Sequence, residues 1–128
     1  MRVLVTGGRD YADRATFYFV MDQLHAVHGF DCVIHGAARG ADALADAWAE
    51  ERGVVRLPFK ADWRGDQKQA GPIRNSRMVH EGKPDMVVEF VGGAGTADCV
   101  RKALAARVPV YEAATGEMKG EVQNSLFA

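Results

Sequence analysis

Four glycine-centred clusters hold the residues whose types and spacing could do chemistry. The first, Gly7-Gly8-Arg9-Asp10-Tyr11, sets a guanidinium beside two small residues. Arg9 could grip a phosphate or carboxylate with two parallel hydrogen bonds, and Tyr11 could stack on a base. The bland alternative is a loop with one solvated arginine. The second cluster runs from His35 to Asp42. Gly36 and Gly40 can supply positive backbone angles or close contacts, while Asp42 falls where a helix begins. An acid there offsets the helix dipole with or without a ligand. His35 ends an apolar run and reads as a packed histidine.

The third cluster, Ala70-Gly71-Pro72-Ile73-Arg74-Asn75-Ser76-Arg77-Met78, places Arg74 and Asn75 early in a helix, with Met78 on the Arg74 face. A solvated helix start is the competing reading. The fourth, Gly92-Gly93-Ala94-Gly95-Thr96, follows an apolar run and opens a helix. Small residues let backbone N–H groups converge, and Thr96 could cap the helix whose dipole favours an anion. That describes a phosphate cradle. A tight strand-to-helix turn would need one glycine and hardly three.

The elements that position these clusters alternate regularly. Arg2–Thr6, Asp31–His35, Val54–Phe59, Asp85–Phe90 and Val108–Tyr111 are short apolar, β-branched runs that predict strands. Between them, Phe17, Val20, Met21 and Leu24 recur at helical spacing until Gly29, and Ala41, Leu44, Ala45, Trp48 and Ala49 do so until Gly53. Further helices are predicted from Pro72 to about Glu81 and from Thr96 to Ala106. Pro58 points to a strand end or an edge strand. Such alternation implies right-handed crossovers and a single Rossmann-like α/β domain: a parallel sheet of about five strands, order 3-2-1-4-5, with helices on both faces. The domain should cover residues 1–113, and 114–128 reads as a tail or interface segment. In that order the chain reverses direction between strands one and four, and ligands bind at such a point. The Gly7 and Gly92 loops directly follow those two strands.

Composition narrows the classes. At 128 residues the chain suits one domain. Sixteen basic against seventeen acidic side chains argue against a protein that grips duplex nucleic acid by phosphate neutralisation. No apolar stretch approaches a membrane span and the start is not leader-like, so a cytoplasmic protein is expected. Cys32 and Cys99 fit no metal spacing or disulfide framework, and His25 and His28 lack a third ligand and read as surface histidines. No metal and no cofactor is expected. Trp48 sits on an apolar stripe and reads as core. Trp63 lies among polar residues and could stack on a base or cover the site. Neither a P-loop nor a dinucleotide fingerprint is present.

Taken together, GGRDY at 7–11, HGAARGADALA at 35–45, ADW at 61–63, AGPIRNSRM at 70–78 and GGAGT at 92–96 resemble the YspA-like branch of the SLOG superfamily. The resemblance covers about residues 2 to 111. It implies a Rossmann-like fold and kinship with lonely-guy phosphoribohydrolases, with the DNA-processing protein DprA and with sensors of nucleotide-derived ligands. The lonely-guy RK-x-x-M element is similar to residues 74–78, which carries an active-site arginine onto Arg74 but puts Asn75 where the lysine stands. Its PGGxGTxxE loop resembles residues 91–99, with Val91 at the proline and Cys99 at the catalytic glutamate. Asp98 is the nearest acid and should point about 100° away round the helix. The resemblance also implies a homo-oligomer, for which the alanine-rich helices 41–52 and 96–106 offer flat faces.

These readings lead to a module or sensor that binds a nucleotide or nucleotide-derived small molecule. Arg9 and the loop with Gly92, Gly93, Gly95 and Thr96 would hold phosphate, and Gly7 and Gly8 belong to the same ligand-binding set. Gly36, Gly40, Asp42, Arg74 and Asn75 would face the ribose, and Tyr11 or Trp63 the base. The alternative is an N-glycosidase acting on nucleoside monophosphates, with Asp42 or Asp98 as the acid and Arg74 and Arg9 as cations. A DprA-like DNA-handling module is the remaining class.

Overall fold

The strands alternate their side chains between two cores. Val3, Val5, Val33, Met86 and Val88 enter one, and Leu4, Ile34 and Val87 the other. That period of two, with both faces apolar, is what a covered parallel sheet requires. The computed structural model describes residues 1–120. It contains strands β1 (Arg2–Thr6), β2 (Cys32–His35), β3 (Val55–Pro58), β4 (Met86–Glu89), β5 (Val110–Glu112) and β6 (Glu117–Lys119). The helices are α1 (Arg14–His28), α2 (Ala41–Arg52), α3 (Ala70–His80) and α4 (Ala94–Ala105).

The sheet order is β3-β2-β1-β4-β5-β6, parallel except for β6. Five strands thus follow the expected order, and a sixth extends the sheet past residue 113. Glu117–Lys119 pairs antiparallel with β5 through a turn, and Lys119 joins Glu89 and Glu112. Three residues without apolar alternation carry no strand signal, so only the pairing reveals β6. The tail reading otherwise falls on residues 121–128, outside the described residues.

Phe17, Met21 and Leu24 of α1 and Trp48 of α2 fill the first core, and Met78 of α3 with Cys99 and Ala103 of α4 fill the second. Gly29 and Gly53 form left-handed caps at the ends of α1 and α2, as the sequence suggests. Ala41, Ala45, Ala49 and Ala103 are buried against the sheet, so those alanines are not available as an oligomer face. His25 is more than a surface histidine. Its Nδ1 accepts the Phe30 N–H at 2.9 Å, and its ring meets Trp48 edge-on.

Candidate functional site

From β1 the chain moves outward to β2 and β3, then returns to the other side for β4 and β5. The reversal between β1 and β4 opens a crevice at their carboxyl ends. Three backbone links knit its rim: Gly8 N–H donates to Val91 carbonyl at 2.9 Å, Ala41 N–H to Gly8 carbonyl at 3.1 Å, and Phe90 N–H to Thr6 carbonyl at 2.9 Å. The link to α2 requires glycine at position 40. Its φ is +76°, and a Cβ there would lie 2.2 Å from the Gly8 carbonyl oxygen.

The crevice is a cleft of about 630 Å³. One wall is the start of α4, with Gly93 and Gly95. A second is Arg74 and Asn75 on α3. Trp63 and Arg9 stand at the mouth, while Thr6 and Asp42 lie deep. Helix α4 begins at Ala94, two residues earlier than expected, with Gly93 as its cap residue and no side chain bonding to it. Thr96 is therefore not the cap. It lies buried in the first turn with its hydroxyl under Gly92, where a Cβ would meet it at 2.2 Å. The start of α4 therefore has no side-chain cap, and Gly93, Ala94 and Gly95 of that start line one end of the cleft.

Arg74 is held rather than loose. Its Nη1 donates to the Gly36 carbonyl and its Nε to Asn75 Oδ1 at 2.9 Å. Asn75, 3% exposed, donates from Nδ2 to the Gly95 carbonyl at 3.1 Å and to Asp98 Oδ2 at 3.0 Å. One amide thus ties the arginine to the glycine loop and fixes α3 against α4. Asn75 consequently fills a positional role where a lysine would bring a charge.

The two candidate acids have opposite environments. Asp98 lines the cleft instead of turning away from it, because Cys99 takes the inward position in the core at 0% exposure. Burial would raise the Asp98 carboxyl, but hydrogen bonds from Lys102 and Asn75 and the charges of Lys102 and Arg101 outweigh it and hold it below the usual range. Lys102 Nζ stands 2.9 Å from Oδ2, and Arg101 pairs with the other oxygen. Asp98 is a fixed anion. Neither Arg101 nor Lys102 figured in the sequence reading, although their spacing of three and four from Asp98 is the helical ion-pair spacing. Cys99 offers nothing in its place, since burial pushes its thiol up to about 11.

Asp42 is the reverse case. It is buried at the start of α2, and desolvation pushes its carboxyl above the usual range despite the Ala38 N–H and the nearby His35 and Arg74. Between its ordinary value and the raised one the folded chain holds more proton than the unfolded chain, so Asp42 makes stability fall as pH rises through that window. Asp42→Asn removes the effect. Urea midpoints measured from pH 4 upward, about the ordinary aspartate value, should show the variant gaining steadily on wild type. A constant difference between the two would place the folded carboxyl at its ordinary value.

Tyr11 does not line the cleft. Its ring packs on Phe90 and Phe17 at centroid distances of 5.3 and 6.3 Å, which leaves Trp63 as the aromatic at the mouth. Gly8, Gly40 and Gly92 shape the loops behind the cleft, and Gly36 lines a neighbouring concavity. His35 is packed as expected: Nδ1 accepts the Ala37 N–H and Nε2 faces Asp46 at 2.9 Å.

Fold and site together define a small Rossmann-like protein with a cleft at its switch point. The sequence profile of the YspA, cpYpsA-related SLOG family matches residues 1–65. The chain is 41% identical over 117 residues to the Gene 61 protein of Mycobacterium phage D29, a match spanning 85% of this chain and 93% of that one. The chain belongs to the YspA, cpYpsA-related SLOG family. Its fold is similar to the X-ray structure of TM1055, a structural-genomics target, with a TM-score of 0.65 and 21% identity over 86% of this chain and 72% of the other. No helix among the described residues is long and apolar enough to cross a membrane.

Proposed function

We propose that this chain binds a nucleotide or nucleotide-derived small molecule in the switch-point cleft, as a sensor or binding module. The observation that carries this reading is the convergence, across one cleft of about 630 Å³, of the uncapped α4 start, Arg74 and Trp63. The volume suits a mononucleotide-sized ligand. Phosphate would lie at Gly93–Gly95 with Arg9 beside it, the ribose hydroxyls near Asp42 and Arg74, and the base against Trp63. Membership of the SLOG family supports a small-molecule ligand.

A hydrolytic reading draws on Asp42. A carboxyl with a raised pKa, beside an arginine in a cleft, is the kind of group that general acid chemistry on an N-glycosidic bond requires. The Asp98 alternative is weakened by its two cations.

Native mass spectrometry of the purified protein, followed by incubation with the nucleoside 5′-monophosphates, separates the two. A co-purifying nucleotide derivative and no released base is the expected result. Free base, lost in Asp42→Asn, would instead make the protein a phosphoribohydrolase. An empty protein that binds no nucleotide by calorimetry would sink the nucleotide reading altogether. The same spectrum reads the number of chains in the assembly, expected to be two or more.

A further inference from the structure

Beside the first cleft lies a second, of about 450 Å³, and the two share Arg9, Ala38, Trp63 and Arg74. Their charges differ. The first sets Asp42 and Asp98 among its arginines, whereas the second adds Arg39 and Lys60 to the shared Arg9 and Arg74 and has no carboxylate in its lining. Cations of one sign in a concavity raise the local concentration of anions.

These cations are also available. Among the described residues Lys60 and Arg9 have no ion-pair partner, and Arg9 lies 5.3 Å from the Trp63 ring centroid. Arg39 meets only Asp10, at 3.4 Å, with side chains 76% and 95% exposed. Such a pair is weak, and a ligand anion displaces it readily. The loop that carries Arg39 is itself held in place: Ala37 has a left-handed φ of 55°, and its N–H is bonded to the buried His35. A non-glycine residue in that conformation persists only where its surroundings over-determine it.

We propose that the second cleft is a subsite for a second phosphoryl group, so that the ligand is a nucleotide with phosphates at two separated positions, such as a nucleoside 3′,5′-bisphosphate. The inference rests on the nucleotide reading of the first cleft. Separation follows from the lining. Gly93 and Gly95 belong only to the first cleft and Arg39 and Lys60 only to the second, with Arg74 between. Two adjacent phosphates held at α4 would leave Arg39 and Lys60 in water.

The test is calorimetry with the 5′-monophosphates, 5′-diphosphates and 3′,5′-bisphosphates of adenosine and guanosine. The bisphosphate of one series should bind roughly tenfold tighter than its mono- and diphosphate, the gain of a charge-assisted contact or two. Arg39→Ala with Lys60→Ala should erase that gain and leave monophosphate affinity within about twofold. Equal affinities across a series, a diphosphate that matches the bisphosphate, or a gain that survives the double variant would each overturn the proposal. If no nucleotide binds, the nucleotide reading falls, and inorganic pyrophosphate then decides the subsite. Trp63 borders the cleft and Trp48 is buried in the core, so a fluorescence change on adding pyrophosphate that the double variant abolishes upholds an anion subsite. No change overturns it.

Discussion

Gly95→Leu should abolish nucleotide binding and at the same time leave the protein as stable as wild type or more so. Position 95 is the second residue of α4 and lines the cleft, and a Cβ there meets no heavy atom within 4 Å. Leucine in a helix is favoured over glycine by up to about 0.8 kcal/mol, so the urea midpoint should hold or rise. The isobutyl group would fill part of the cleft at the start of α4, where the proposed phosphate would lie. Calorimetry with a nucleoside monophosphate should then show a loss of at least ~100-fold, since both the charge-assisted hydrogen bonds and the room for the anion are gone. Retained affinity in a folded variant would remove the phosphate from α4. Opposite signs in binding and stability distinguish this outcome from simple misfolding.

Trp48→Ala should cost about 3–5 kcal/mol, a large share of the roughly 5–15 kcal/mol that holds a domain of this kind together. Trp48 is 0% exposed in the core between α1, α2 and the sheet, where Phe30 and His25 pack on it. Its Nε1 also donates to Asp22 Oδ1 at 2.8 Å. Removal leaves a hole that a parallel sheet and two short helices cannot close, so the melting temperature should fall by on the order of 10 °C. Trp48→Phe retains most of the volume, and Asp22 keeps both its contacts to Arg52, so its loss should be much smaller. A urea denaturation series on the three proteins checks the ranking. Similar losses for alanine and phenylalanine would show that the indole hydrogen bond, and not the packing, is what matters.

The pairing of these two tryptophans illustrates what could be read directly. Trp48 recurs with Ala41, Ala45 and Ala49 at helical spacing, which by itself turns it inward, and Trp63 among polar residues is turned outward. The same kind of local signal places β1 to β5, ends α1 and α2 at glycines, and brings the Gly7 and Gly92 loops to the switch point. The boundaries of α3 and α4 move by two residues, because glycine, alanine and proline in a first turn leave several starts nearly equivalent.

The sequence by itself determined the layered α/β fold, the strand order from β3 to β5 and the loops that surround the cleft, because each depends on spacing among near neighbours and on the handedness of crossovers. Only the tertiary structure decided which groups line the cleft and in which direction their ionisation is shifted. Asp98 is made a fixed anion partly by Asn75, 23 residues away, and Arg74 is anchored by Gly36, 38 residues away. Tyr11 packs against the core on Phe90, and β6 exists through its pairing with β5. Ionisation and orientation depend on burial and on partners from distant elements, and neither is written in the spacing of any one segment.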